Sequence, residues 1–357
     1  MAVTLEISKD SEEWDNLVEK SPHGTIFHTW KFLKIVEKHT NSKLYPIIGM
    51  KGTTPVGIYP LFLQKKFFLR LVFSPPPHVA VPYLGPVIVD YDKLKQSKKE
   101  SIFINFQKAV DEFISSELKA DYVYISTPPK LLDSRPLRWV GYEIKPLHSY
   151  IIDLSKGIDC IWKQFEKKLR QNINKTKREG ISVEEGSKEE FERIYDLLVE
   201  RYKEQGRIVT VSKEYLCDVY NSFYPENIRI TVVKYMSDII TGSIDTYYKD
   251  ILTSWIGHTK TKIKNIYPND LLRWEAIEWA YENGLRYYEE IGAGVEKLCT
   301  YKAKLNPRLV VHFSATKHTS IVSKMAEDFY FRILKPTYTK IKLMKKSYDG
   351  TKNSKKR

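Results

Sequence analysis

The chain has 357 residues, a formal net charge of +14, 42% hydrophobic residues and 13% aromatics. That is enough for two ordinary domains, each with a core, and it excludes a disordered polyanion-binding tail as the whole molecule. The basic excess favours anionic partners: RNA, phosphorylated small molecules or an acidic membrane face. Apolar runs such as "FFLRLVF" and "LVVHFSA" fall far short of the roughly 20 residues a spanning helix needs. The start "MAVTLEISKDSEEW" lacks a basic-then-apolar leader pattern. Cys160, Cys217 and Cys299 are widely spaced and odd in number, which suits reduced thiols and a cytoplasmic home. No Cys/His zinc spacing is present, so no metal is expected.

After a helical "FHTWKFLKIVEKH", residues 45–73 read as strands joined by a Gly-Thr-Thr-Pro turn, followed by the loop "SPPPHVAVPYLGP". "SIFINFQKAVDEFISSEL" has helical periodicity and "ADYVYIS" strand periodicity. Residues 159–180 then predict one helix: Trp162, Phe165, Leu169 and Ile173 form a packing face, and Lys163, Lys167, Arg170, Asn174 and Lys177 form a basic stripe beside it. Such a stripe suits phosphate or an RNA backbone, and equally a plain solvated face.

Residues 228–259 offer three β-branched and aromatic strands with turns at 236–238 and 249–250. "YPNDLLRWEAIEWAYENG" predicts a helix capped by Asn269 or Asp270 and ended by Gly284, "LRYYEE" a strand, and "RLVVHFSA" a last strand. The order helices, strands, helix, strand occurs twice, with glycines at comparable strand positions, Gly57 and Gly242. This points to a tandem duplication with a boundary near Tyr150. Beyond it, residues 321–346 mix apolar and basic positions as an amphipathic helix that Pro336 kinks or divides. Residues 347–357 read as a disordered basic tail.

Three segments, "KKLRQNINKTKREGISV", "PNDLLRWEAIEWAYENG" and "YYEEIGAG…TYKAKL", together resemble the FemAB-like and BioF2-like acyltransferases of the GNAT superfamily. Arg170, Ile173 and Lys175 match the first motif of that family, Asn269, Leu271 and Leu272 the second, Glu290, Ile291 and Gly292 the third, and Tyr301 with Lys302 the last pair. Glu290 stands where Asp is usual, and "AKLNP" replaces the Phe-Gly that often follows the lysine. The resemblance implies an α/β (α+β) fold of two tandem GNAT-like domains, a divergent one over residues 1–150 and the acyltransferase domain over 151–320. Each would carry its own mixed, mostly antiparallel sheet, with a shared cleft near Arg170, Glu290 and Lys302.

It also implies transfer of an acyl or aminoacyl group to an amine, from acyl-CoA (acetyl-CoA) or aminoacyl-tRNA. The acceptor would be a small-molecule or lipid-linked amine, such as a cell-envelope or amino-sugar precursor. The family's usual glycine-containing pyrophosphate loop is replaced by "KTKIKNIYPND", where Lys260, Lys262 and Lys264 offer point charges instead.

Acyl transfer needs a neutral amine, a route for its proton and stabilisation of the oxyanion. Strand alternation separates Glu289 from Glu290, so one is a site group and the other a structural partner. Glu290 is the candidate for ordering the amine or accepting its proton, against the reading of a buried carboxylate paired with Arg286. Lys302 is the candidate for stabilising negative charge and Tyr301 for donating to the leaving group, with Cys299 a small core residue rather than a nucleophile. Donor binding falls to Lys163, Lys167, Arg170, Lys177, Asn269 and Lys264. The competing expectation is a non-catalytic GNAT-like scaffold that binds RNA or acidic lipid. Residues 324–346 would supply either a membrane address at the inner face or a clasp packed across the cleft of the chain itself.

Overall fold

The computed structural model describes residues 2–257, 263 and 265–329. Its N-terminal half runs β1 (Thr4–Ile7), α1 (Ser11–Glu19), α2 (Trp30–Thr40), β2 (Lys43–Lys51), β3 (Thr54–Lys66), β4 (Leu69–Ser74), β5 (Val87–Ile88), α3 (Gln96–Ser116), β6 (Tyr122–Ser126), α4 (Arg135–Trp139) and β7 (Glu143–Asp153). Two linking helices follow, α5 (Ile158–Gln164) and α6 (Lys167–Arg178). The C-terminal half then repeats the order with β8 (Ile181–Glu185), α7 (Lys188–Glu204), α8 (Lys213–Phe223), β9 (Ile228–Tyr235), β10 (Asp238–Tyr248), β11 (Ile251–Gly257), α9 (Pro268–Glu282), β12 (Tyr287–Glu290), α10 (Glu296–Lys302) and β13 (Arg308–His318). Helix α11 (Ile321–Phe329) comes last among the described residues.

The class is as expected: α/β with a mostly antiparallel sheet. Two separate sheets do not form, however. All strands join one 13-stranded sheet in the order β1-β2-β3-β4-β6-β13-β7-β12-β11-β10-β9-β8, with β5 on β3. The halves exchange their last strands: β13 pairs with β6, β7 pairs with β12, and β7 and β13 pair with each other along most of their length. Each exchange covers a strand edge whose N–H and C=O groups would otherwise lack partners. The parallel pairs β4·β6 and β11·β12 occupy equivalent places on either side of that junction.

One face of the sheet is covered by α1, α2, α7 and α8, whose residues share a single core with Phe32 of α2 against Phe223 of α8 at 5.6 Å between ring centres. On the other face, α3 and α4 cover the first half, and α5, α6 and α9 the second. Contacts tie the halves further: Trp255 Nε1 donates to the Ala80 carbonyl at 2.7 Å, and Lys249 Nζ donates to the carbonyls of Val18 and Ser21. The two comparable glycines turn out to serve different helices. A Cβ on Gly57 would meet Phe106 of α3 at 2.8 Å, and one on Gly242 would meet Ile194 of α7 at 2.7 Å.

The single helix expected over residues 159–180 is two. Phe165 adopts an extended backbone between α5 and α6, which sets its ring 5.4 Å from Trp274 of α9 while Glu166 N–H donates to the Lys304 carbonyl. Burying the aromatic ring outweighs the one or two helical hydrogen bonds forgone. The basic stripe is therefore broken, with Lys163 on α5 and Lys167, Arg170 and Lys177 on α6. Helix α9 also starts earlier than expected. Tyr267 is its N-cap without a side-chain bond and Pro268 holds the first position, so Asn269 and Asp270 lie inside the first turn and are free for tertiary contacts. Gly284 ends it with φ of +73°. Lys260, Lys262 and Lys264, most of the 324–346 segment and the 347–357 tail lie outside the described residues. Among the described residues no helix is long and apolar enough to cross a membrane.

Candidate functional site

Strands β11 and β12 run parallel over four residue pairs, from Ile251↔Tyr287 to Ser254↔Glu290, and then part. Strand β11 continues to Gly257 against β10 alone, whereas the chain beyond Glu290 turns away through Gly292 at φ +80°. The end of this ladder, called the notch below, lies at the C-terminal ends of two parallel strands, the place where open α/β sheets receive ligands. Along residues 255–257, the edge of β11 that faces the notch has no strand partner among the described residues.

Glu290 closes the β12 side of this notch. Its Oε1 accepts from Arg273 Nε of α9 at 2.6 Å and from the Tyr288 hydroxyl at 2.8 Å, and Lys302 Nζ of α10 lies 3.3 Å from Oε2. Lys302 also donates to the carbonyls of Ile291, at 2.5 Å, and Gly292, at 3.4 Å. The Arg273 guanidinium lies 4.9 Å over the Tyr301 ring, and the Tyr301 hydroxyl donates to Asp270, whose other oxygen accepts from Asn172 of α6 at 2.9 Å. Burial opposes the charge of Arg273, but Glu290 beside it more than restores it, so the guanidinium is held above its ordinary range. Burial pushes the Tyr301 phenol up.

Register extends the polar surface across the sheet. Arg229 of β9, Asp245 of β10, Ser254 of β11, Glu290 of β12 and Tyr150 of β7 are successive cross-strand neighbours, and neighbours in register share a face. Asp245 is fully buried; Oδ2 accepts from Ser243 at 2.8 Å, and Oδ1 has no partner among the described residues. Burial raises this carboxyl to about 6, against the lowering effects of Ser243 and Arg229. Glu289 points to the opposite face, where Tyr83, Ser149 and Thr253 donate to it at 2.7, 2.7 and 3.2 Å. Burial raises its carboxyl too, and the three hydroxyls counter this.

The structure thus gathers Glu290, Lys302 and Tyr301 into one network and gives Glu289 a separate cage of hydroxyls from both halves. The arginine paired with Glu290 is Arg273, not the Arg286 of the alternative reading. Arg170 is half-buried, and its Nε has no partner among the described residues, so it is not drawn into the Glu290 network. Asn269 is held by Thr241, whose hydroxyl donates to its Oδ1 at 2.9 Å. Lys177 ties α6 to α9, 2.9 Å from Glu275 and 3.6 Å from Glu278, so its charge is already engaged. Lys163 and Lys167 are exposed. Sequence reasoning missed Arg273, Asp270, Asn172 and Asp245. The available signal was one arginine inside an otherwise apolar helix face, where a charge needs a partner.

Residues 163–303 match the family model described as an acetyltransferase (GNAT) domain. That stretch of the second half is thus similar to a GNAT domain. No curated protein matches the chain. Among solved structures, FemX is 14% identical with a TM-score of 0.65, covering 86% of this chain and 96% of its own. L-PGS from Bacillus licheniformis is 14% identical with a TM-score of 0.52, covering 89% and 95%. A tandem GNAT protein from the clavulanic acid biosynthesis pathway is 11% identical with a TM-score of 0.51, covering 88% and 99%. At these identities the likeness is one of fold, and the fold is that of FemX-like and tandem GNAT proteins over most of the chain.

Proposed function

We propose that the chain is an N-acyltransferase that moves an acyl group from acyl-CoA directly to an amine at the notch between β11 and β12. The observation that carries this reading is the parting of those parallel strands immediately after Ser254 and Glu290, inside the segment that matches the GNAT model. The open edge of β11 presents backbone groups to a ligand, and the amides of a pantetheine arm are suited to pair with it as an added strand. In the step itself the neutral amine attacks the thioester carbonyl, a C–N bond forms, the C–S bond breaks, the thiolate leaves, and the amine proton passes to it or to water. N–H groups on the β11 edge that meet no strand among the described residues would stabilise the oxyanion.

Glu290, with both oxygens engaged by Arg273, Tyr288 and Lys302, acts in this reading as a positioning residue. It fixes the end of β12 and, with Lys302 on the Ile291 and Gly292 carbonyls, the turn that forms the notch wall. Tyr301 donates to Asp270 and joins α10 to α9. The exposed Lys163 and Lys167, with Arg170, are the cations proposed for donor phosphates, with Lys264, which precedes α9 in the sequence. We place the transferase unit at residues 151–320 and a divergent GNAT-like unit at 1–150, with acceptor amines of small-molecule or lipid-linked kind.

A mass-resolved screen tests the reading: acetyl-CoA, longer acyl-CoA and charged tRNA offered in parallel with a panel of amines. Acyl mass on an amine from a CoA donor supports it. Transfer from charged tRNA alone moves the donor to aminoacyl-tRNA. No transfer with any donor, together with retained RNA or acidic-lipid binding, leaves a non-catalytic scaffold.

A further inference from the structure

We propose that the β3–β4 hairpin tip is a membrane-docking finger for an anionic bilayer surface. The two strands stay paired to Lys66↔Leu69, so the turn consists of Phe67 and Phe68 alone. Phe67 is 100% exposed and Phe68 77%. Two-residue hairpin turns favour Asn and Gly because the backbone must enter the left-handed region, and Phe67 does so with φ of +55°. A bulky aromatic in that conformation is strained, and no burial within the chain offsets the strain. Two adjacent exposed phenylalanines on a strained turn mean that their partner is external.

The surroundings select the partner. Lys65 stands directly opposite Arg70, an arrangement of like charges that weakens a hairpin. Arg70 is secured at its root, donating to the Leu118 carbonyl and, through its backbone N–H, to Asp121 at 2.7 Å. Lys65 and Lys66 are exposed and form no ion pair among the described residues.

The same end of the sheet carries the start of α11. Leu71, Tyr122 and His318 are register neighbours on β4, β6 and β13, and Thr319 N–H donates to the Asp121 carbonyl. There Ile321, Val322 and Met325 are 79, 52 and 67% exposed, with Lys119 and Lys324 exposed beside them and Glu112 and Glu117 exposed acids near the α3 end. Narrow apolar points ringed by lysines fit a headgroup boundary: the rings enter the acyl edge and the ammonium groups meet lipid phosphates. A protein partner would instead be met by a broad apolar plateau, which this tip lacks.

The test is co-sedimentation of the full chain with vesicles of phosphatidylcholine alone and with added phosphatidylglycerol. The wild type is expected to partition onto the phosphatidylglycerol vesicles. Phe67→Ser with Phe68→Ser is expected to reduce partitioning about tenfold or more, and Lys65→Gln or Lys66→Gln about fivefold each, since a lysine near an anionic surface contributes about that factor. All four positions are exposed, so thermal melting should not fall, which reports intact folding. Partitioning of the double serine variant equal to wild type overturns the proposal. So does a wild type that ignores both vesicle types, in which case a protein partner or a second copy is what the tip meets.

Discussion

Replacing Arg273 with Met tests whether the Glu290 network is what holds α9 to the end of β12. The guanidinium and the carboxylate are both buried, with side-chain exposures of 7% and 4%, and bond at 2.6 Å. Removing one partner of a buried pair costs about 3–5 kcal/mol because a charge is left uncompensated. Lys302 remains 3.3 Å from Glu290, which places Arg273→Met at the low end, about 3 kcal/mol. An unfolding entropy of about 2.1 cal/mol/K per residue, over 357 residues, gives roughly 0.75 kcal/mol/K, so Tm should fall by about 4 °C. Glu290→Gln alone leaves Arg273 buried with a neutral acceptor and should cost a similar amount. In the double variant neither charge is stranded, so its cost should be about 2 kcal/mol less than the sum, measured by urea unfolding of all four proteins. Single costs that add to within about 0.5 kcal/mol would refute the claim that the two residues act as a unit.

Asp245 and Glu289 carry carboxyls raised by burial, so the folded chain binds protons at these groups more readily than the unfolded chain, and their contribution to stability falls as pH rises. For Asp245 the window runs from the unfolded value near 4 to about 6, so Asp245→Asn should gain on wild type by up to about 3 kcal/mol between those limits; parallel stability-versus-pH curves would contradict this. Glu289→Gln should shift the curve in the same direction. Lys177→Ala should cost no more than about 1 kcal/mol in thermal melts, because its ion pairs are half-exposed, and should leave donor KM unchanged, whereas Lys163→Ala with Lys167→Ala should raise it. Cys299→Ala should retain transfer with no acyl adduct on the protein by intact mass, since direct transfer needs no nucleophilic thiol.

Local pattern revealed most of the elements around the notch. Strands β9, β10 and β11, helix α9 and strand β12 follow from β-branched alternation, helical spacing and Gly284. The break at Phe165 was hidden because Trp162, Phe165, Leu169 and Ile173 keep helical spacing on both sides of it, and only the ring of Trp274, more than a hundred positions away, shows why it occurs. The fused sheet was hidden for the same reason: the pairing of β13 with β6 and of β7 with β12 joins segments far apart in the chain, and strand periodicity says nothing of which edge a strand will meet. At the site, motif order picked out Glu290, Lys302 and Tyr301, and alternation correctly separated Glu289 from Glu290. It did not supply Arg273, which sits in a helix whose surrounding positions are apolar. Nor did it show that Lys177, a member of an apparently free stripe, spends its charge on Glu275.

Hydrogen exchange of the backbone amides, with and without the acyl donor that supports turnover, tests most directly whether the notch is where the donor lies. The account predicts protection of residues 255–257 on β11 and of the turn at 291–294, because a bound donor pairs with the open strand edge and rests against its opposite wall. Protection confined to α5 and α6, with the amides of 255–257 exchanging as in the free protein, would contradict it.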